Sequence, residues 1–328
     1  MTISLHKGFV SLLFALAALA VAVAGANESS CPQGKLDTPW VERFSASKRL
    51  MQNTNCYRPL VDGERSKCET GSEAIITYTM LYYSDSTFLE EQKKNWCSWP
   101  LATRHKFQFL IVDDGSLAEE SAIQKYVHSG CINLMIYTIE MDLHWNIGGA
   151  RNLAFHVAPT EYVFLTDSDL LVPHTIALAC LEMVRNDKNS ASKQVSESHV
   201  AMKTIFLSFN RVFNESGQRR PHPATMMLTK DAYWMCGGCD EDFVGAYGIT
   251  DPHFKWRAAR TKNVEVSKVS EKYDDELIMM ELKDKLSLQR DPERNRNIFK
   301  AKRLGNIPWS NDYIRFPWNF TAQFCIKE

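Results

Sequence analysis

The sequence predicts an α/β fold, a mostly parallel, Rossmann-like central sheet with helices on both faces. Two observations carry this reading. From residue 74 onward, runs of β-formers alternate with capped, amphipathic runs through at least three cycles, the pattern that βαβ units produce. Carboxylates also recur where the β-rich runs stop, and sheets of this kind bind ligands outside the carboxyl ends of their strands.

The elements follow in order. AIITYTMLYY, residues 74–83, is rich in Ile, Thr and Tyr and reads as the first strand. Residues 86–99 read as a helix, with Ser86 or Thr87 as N-cap and acidic residues in the next turn. KFQFLIVDD (106–114) is the second strand and GSLAEESAIQKYVHSG (115–130) a second capped helix. INLMIYTI (132–139) is the third strand, and NIGGARNLAFHVAP (146–159) is a helix opened by glycines and closed before Pro159. EYVFLTD (161–167) is the fourth strand, followed by a helix over 174–187. Residues 186–199 are poor in hydrophobics and read as a surface loop. VAMKTIFLSFN (200–210) is another strand, 215–223 a loop, and 224–238 strand, turn and short helix. Residues 272–303 hold amphipathic helical stretches, and the aromatic-rich 309–320 packs back on the domain. No internal repeat is visible.

With 328 residues, 45% of them hydrophobic, the chain can bury a large core. A net charge of −1 supplies no bulk attraction for nucleic acid, and none is expected as a partner. Lys7 precedes an uncharged run from Gly8 to Ala26 that ends in Ala24-Gly25-Ala26. It reads as a signal peptide, with an uncleaved signal anchor as the alternative, so residues 8–26 are the candidate membrane anchor. Either reading puts the rest of the chain in the secretory pathway, in the Golgi or ER lumen, or outside the cell. The expected organisation is 1–26 targeting segment, 27–73 stem or lead-in, 74–260 catalytic domain and 261–328 helical and aromatic extension. Nine cysteines follow the targeting segment, and disulfides are expected among them. Cys236 and Cys239 form a lone CxxC across two glycines, which reads as structural. Asn27, Asn214 and Asn319 each open an Asn-X-Ser/Thr sequon.

The chemistry concentrates at strand ends. Asp167-Ser168-Asp169 closes the fourth strand. Residues two apart on a strand share a side, so both carboxylates can approach one point. Mg2+ or Mn2+ takes few protein oxygens plus substrate phosphates, which suits such a pair. Asp113-Asp114 closes the second strand, where a carboxylate can accept from a ribose hydroxyl or a base N–H. Asp142 and His144 follow the third. Gly148 and Gly149 open a helix whose first N–H groups and dipole favour an anion, and Arg151 adds a charge matched to phosphate. The glycines can equally serve close packing.

In that order, IVDDGS, NIGGARNLAF, YVFLTDSDLLVP and GGCDEDFVGAYGITDPHFKWR resemble the nucleotide-diphospho-sugar glycosyltransferases of the GT-A fold, nearest to the family-two type. The resemblance spans about residues 74–260. It implies transfer of a sugar from a nucleotide sugar, a UDP-sugar, to a hydroxyl of a glycan, glycoprotein or other acceptor, with inversion. It implies Thr77 and Tyr78 by the nucleotide base, Asp113 and Asp114 at uridine or its ribose, and Arg151 and Asn152 by the donor. Asp167 and Asp169 match the DXD pair, with Asp169 the stronger metal ligand. Asp251 matches the acid of a Glu-Asp pair that serves as general base, and Pro252 after it favours an extended residue. Thr250 stands where that family commonly has Glu, so the base role falls on Asp251 alone. For a third metal ligand the resemblance offers His253, and His222 less strongly. The alternative reading is a catalytically decayed scaffold that binds carbohydrate. A nucleotidyltransferase would want a glycine-rich, basic loop after the first strand, which YTMLYYSDS lacks.

Overall fold

The computed structural model describes residues 73–126, 129–196, 202–213, 216–271, 276–280 and 290–327. The expected targeting segment and stem lie outside them. Among the described residues no helix is long and apolar enough to cross a membrane.

The alternation expected from sequence is present: β1 (Ile76–Tyr82), α1 (Ser86–Ser98), α2 (Leu101–Arg104), β2 (Phe107–Asp113), α3 (Ala122–Lys125), β3 (Leu134–Ile139), α4 (Ile147–Val157) and β4 (Tyr162–Asp167). There follow β5 (Leu170–Leu171), α5 (His174–Ser196), β6 (Lys203–Leu207), β7 (Asn210–Phe213), β8 (Arg219–Pro221), β9 (Met226–Thr229), α6 (Lys230–Met235) and α7 (Thr250–Ala258). The described chain closes with β10 (Val264–Lys268), β11 (Glu276–Met279), α8 (Glu293–Arg303) and β12 (Trp318–Phe324).

Eight strands form the main sheet in the order β10-β6-β9-β4-β1-β2-β3-β12. β4, β1, β2 and β3 run parallel to their neighbours, while β9 and β12 are antiparallel to theirs. A smaller sheet, β5-β11-β7-β8, lies beside it. Alternate residues of each central strand feed two cores. Phe107, Phe109 and Ile111 pack with Tyr78, Trp96 and Trp99 on one face. Leu110 and Val112 pack with Leu153, Phe155, Tyr233 and Phe254 on the other. Strands covered on both faces favour apolar residues throughout, which explains the run over residues 109–112 in β2; the one polar residue before it, Gln108, is buried and donates to the carbonyls of Phe109 and Asn133.

Several local expectations change. Asp85, not Ser86 or Thr87, caps α1, its carboxylate accepting from Phe88 N at 3.2 Å. The helix expected over 115–130 shrinks to a 3-10 turn at Ala118–Glu120 and the short α3, because the Asp113 carboxylate draws in the Ser116 and Ala122 N–H groups. The loop expected over 186–199 is instead helical to Ser196. The segment after 261 is not only helical: β10 and β12 close the two edges of the main sheet. Cys97 and Cys131 form a disulfide, and Cys180, Cys236 and Cys239 are buried free thiols. The last two sit in the apolar core, in agreement with a structural CxxC.

The late residues also grip an earlier loop. Lys302 from α8, its side chain fully buried, reaches Asp240 Oδ2 at 2.9 Å and Asp242 Oδ2 at 2.6 Å. Ser310 N donates to Asp240 Oδ2 as well, at 2.9 Å. Removing one member of such a buried pair leaves a charge without compensation. Lys302→Met, which keeps the apolar stem, is expected to destabilise the protein by about 3–5 kcal/mol in urea unfolding; an unchanged midpoint would contradict this role.

Candidate active site

Because β1, β2, β3 and β4 are parallel, their carboxyl ends open on one side of the sheet. The register places Asp113 opposite Tyr82 and Asp167 opposite Leu81. The turns that follow therefore collect at one place. They border a cleft of about 600 Å3 whose lining includes Asp114, Arg151, Asp167, Asp169 and Asp251. Five expected site residues thus meet in a single cavity.

Arg151 is the hub. It projects from α4, is buried, donates from Nη1 to Asp251 Oδ1 at 2.5 Å, and holds Nη2 3.7 Å from Asp167 Oδ1. Burial works against its charge, but Asp251 and Asp167 outweigh that and hold the guanidinium above its ordinary range. The glycines before it matter for packing. A Cβ on Gly149 would fall 2.2 Å from Asn146 Oδ1 and 2.5 Å from Phe316. Glycine there lets Asn146 lie under the helix start and donate from Nδ2 to Asp114 Oδ1 at 2.8 Å. Burial pushes the Asp114 carboxyl up to about 7, partly offset by Asn146. Beside it, Tyr83 OH donates to the Asp142 carboxylate at 3.1 and 3.2 Å.

Other expected residues lie elsewhere. Thr77 is buried at the start of β1, its hydroxyl 2.7 Å from that of Thr160, far from the carboxyl end of the strand. Tyr78 is a core residue with ring contacts to Trp96, Trp99, Phe109 and Phe164. Asp113 spends both oxygens on backbone N–H groups, 3.1 Å from Ser116 and 2.7 Å from Ala122, and caps a turn. Gly148 is buried and absent from the cleft lining, and a Cβ on it would make ordinary contacts with Cys239 and Thr250. Asn152 is buried and knits Cys239, Glu241 and Tyr233 together. His253 is buried, with Nε2 accepting from Asp240 N at 2.9 Å and Nδ1 facing Ile249 O. Burial and then Arg257 push its pKa well down; with both ring nitrogens facing the backbone, it does not reach the cleft lining.

His222 does reach the cleft. It lines the cleft with Nε2 3.6 Å from Asp167 Oδ2, while Nδ1 is 2.8 Å from Thr225 Oγ1. Asp167, Asp169 and His222 line the same part of the cleft. Among the described residues no group of three or more His, Cys, Asp or Glu side chains is placed to hold a metal ion.

Asp251 sits in the first turn of α7, where a carboxylate is favoured by the helix dipole. It is helical, not extended as the following proline suggested. Pro252 falls within the first turn, where its missing N–H does no harm. Ile249 before it holds φ at 72°, a conformation a β-branched residue rarely takes and one found at functional sites. Sequence reasoning missed Trp145, Tyr247, Arg211 and Arg290, which line the same cleft, and Asn295 behind it. Asn295 is buried and its Nδ2 donates to the carbonyls of Phe243, Ala246 and Gly248 at 2.9, 2.8 and 3.1 Å. It lies about fifty residues along the chain from the loop it braces, so no local signal marks it.

The sequence model of the family described as Glycosyl transferase family 2 matches residues 88–232, from α1 to α6, somewhat under half of the chain. No curated protein matches the chain. Among solved structures, S. aureus TarS 1–349 in complex with UDP-GlcNAc is 15% identical, with a TM-score of 0.49 and coverage of 72% of this chain and 68% of that one. A second TarS 1–349 structure, 15% identical with a TM-score of 0.44, is matched over 63% of this chain and 60% of its own length. The chain therefore spans less than two thirds of that relative. The mannosyltransferase PcManGT from Pyrobaculum calidifontis, in complex with GDP-Man and Mn2+, is 16% identical, with a TM-score of 0.40 and coverage of 88% and 73%.

The position of Asp114 has a consequence for stability. Between the ordinary aspartate value of about 3.9 and about 7, the folded protein keeps a proton that the unfolded chain has released. Stability from this group is therefore full below pH 4 and is lost as pH rises to 7. Urea unfolding at pH 4.5 and 7.5 is expected to show the parent losing stability relative to Asp114→Asn across this range. A constant difference between the two proteins would contradict the burial of a neutral carboxyl.

Proposed function

We propose that this GT-A glycosyltransferase of family-two type moves a sugar from a UDP-sugar to an acceptor hydroxyl, with inversion, in a reaction that depends on Mn2+ or Mg2+. One observation carries the reading. Arg151 ties Asp251, on the acceptor side, to Asp167, on the donor side, through a single buried guanidinium. The two carboxylates are thereby held at one bond-making centre.

In this reading Asp114 and Asn146 receive the nucleoside, and Asp167 and Asp169, with His222 beside them, face the diphosphate. A divalent cation bound there supplies charge neutralisation to the leaving diphosphate. Arg211 lines this side of the cleft, with Nη1 against Met279 Sδ and its guanidinium over Phe213, and offers a further positive group. Asp251 Oδ1 is taken by Arg151, so Oδ2 is left to accept the acceptor's proton. The acceptor oxygen then forms its bond to the anomeric carbon from one face as the bond to the diphosphate breaks on the other, which inverts the centre. Thr250 carries no charge, and Asp251 has no carboxylate neighbour in the first turn of α7 to share its proton. The pairing of the buried Asp114 with Asn146 and of the half-buried Asp251 with the buried Arg151 argues for a working site and against a decayed scaffold. The sequence of residues 1–26 and the Cys97–Cys131 disulfide support a location in the secretory pathway.

Calorimetry with UDP, with and without Mn2+, tests the donor half. The parent is expected to bind UDP more tightly with the metal, and Asp169→Ala to lose that gain. Asp251→Asn is expected to bind UDP normally and to lower the transfer rate by about 100- to 10,000-fold, the range of one general base. Unimpaired transfer by folded Asp251→Asn would remove the base assignment.

A further inference from the structure

One wall of the cleft is built from aromatic rings. Trp145 stands just before α4 with φ at 51°, and Tyr247 stands four residues before Asp251. Their rings meet edge to face, with centroids 4.8 Å apart. Gly245 N donates to His144 O at 2.8 Å and joins the two loops. Asn295 fixes the Tyr247 loop from behind through the carbonyls described above. Both rings line the cleft, and neither belongs to the two buried cores. A tryptophan in the left-handed region is strained, and such strain persists where the surrounding structure imposes it for use. Arg290 lies over the Tyr247 ring, its guanidinium carbon 5.7 Å from the centroid, and also lines the cleft. Among the described residues it has no carboxylate partner.

We propose that Trp145, Tyr247 and Arg290 form the acceptor subsite and that the acceptor is an acidic sugar, a pyranose bearing a carboxylate or sulfate. This rests on the reading of Asp251 as base. A pyranose has an apolar C–H face that lies against an aromatic ring and a polar edge that seeks hydrogen bonds. The rigid pair offers the ring, a few residues from the base. A planar guanidinium matches a carboxylate or sulfate with two parallel hydrogen bonds. The remaining lining includes the carboxylates Asp85, Asp142, Asp167 and Asp169, which repel an anion. An anionic group on the acceptor is therefore directed to Arg290. The donor diphosphate is the other anion in the reaction, but Arg290 packs on the loop that leads into α7, whereas Asp167, Asp169 and Arg211 lie on β4, the β4–β5 turn and β7.

The test uses the full protein with Mn2+ and UDP, and two probes that differ in one group: methyl β-glucopyranosiduronic acid and methyl β-glucopyranoside. Saturation-transfer NMR titrations read their affinities, and calorimetry reads UDP on the same samples. The parent is expected to favour the uronide by about tenfold, the value of one charge-assisted contact. Arg290→Ala is expected to lose that preference and still bind the neutral glucoside, and Trp145→Ala to weaken both sugars by about tenfold. UDP affinity in both variants is expected to match the parent. Equal binding of the two sugars by the parent, or binding of neither beside normal UDP binding, overturns the subsite. A large fall in UDP affinity in Arg290→Ala assigns that residue to the diphosphate and overturns it too. A parent that binds no UDP overturns the donor reading, and the subsite with it.

Discussion

A cation as deeply buried as Arg151 persists only where carboxylates meet it. Asp251 and Asp167 do so from opposite sides, one from the first turn of α7 and one from the end of β4. Everything near them is arranged to keep this contact. The glycine start of α4 lets the helix come close enough to carry the guanidinium inward, and the buried Asn152, one residue on, ties α4 to the 239–241 turn. The strand that ends in Asp167 is fixed between β1, parallel to it, and β9, antiparallel to it. Two carboxylates that share one positive charge, the proposed base and the proposed donor-side acid, cannot drift apart without leaving that charge alone in the protein.

How much of this was legible in sequence follows the range of the forces involved. β1 to β4 and α4 were legible because short apolar runs bounded by turn residues leave little alternative. Asp114, Arg151, Asp167, Asp169 and Asp251 were legible because strand ends and helix starts are where a parallel sheet gathers its ligand groups. Asp113 and Asp114 look alike in sequence, yet one caps a turn while the other enters the cleft. Which does which depends on backbone N–H groups that reach Asp113 only after folding. Thr77 and Tyr78 were misplaced for a related reason. They belong to the right strand but to its buried beginning, and burial is a property of packing.

The histidines show the same limit. His253 is two residues from Asp251, but two residues on a helix turn a side chain to another face, and this one faces Asp240 and Phe243. His222 comes from a distant loop and arrives beside Asp167 only through the pairing of β9 with β4. Thr250, which stood out as a missing acid, is half-buried and faces the start of α4, where a Cβ on Gly148 would lie 3.8 Å from its methyl group.

The brace that Asn295 and Lys302 place behind residues 240–248 also imposes an order on assembly. The loop that presents Tyr247 and leads to Asp251 is held by side chains from α8, and the last strand, β12, seals the sheet against β3. These contacts join segments separated by roughly 50 to 180 residues, and such distant pairings form late. On the proposed function, β1 to β4 carry the donor half of the cleft, while the loop that leads to Asp251 is held by α8. A chain that stopped short of α8 would keep the donor carboxylates and lack the brace of the acceptor loop.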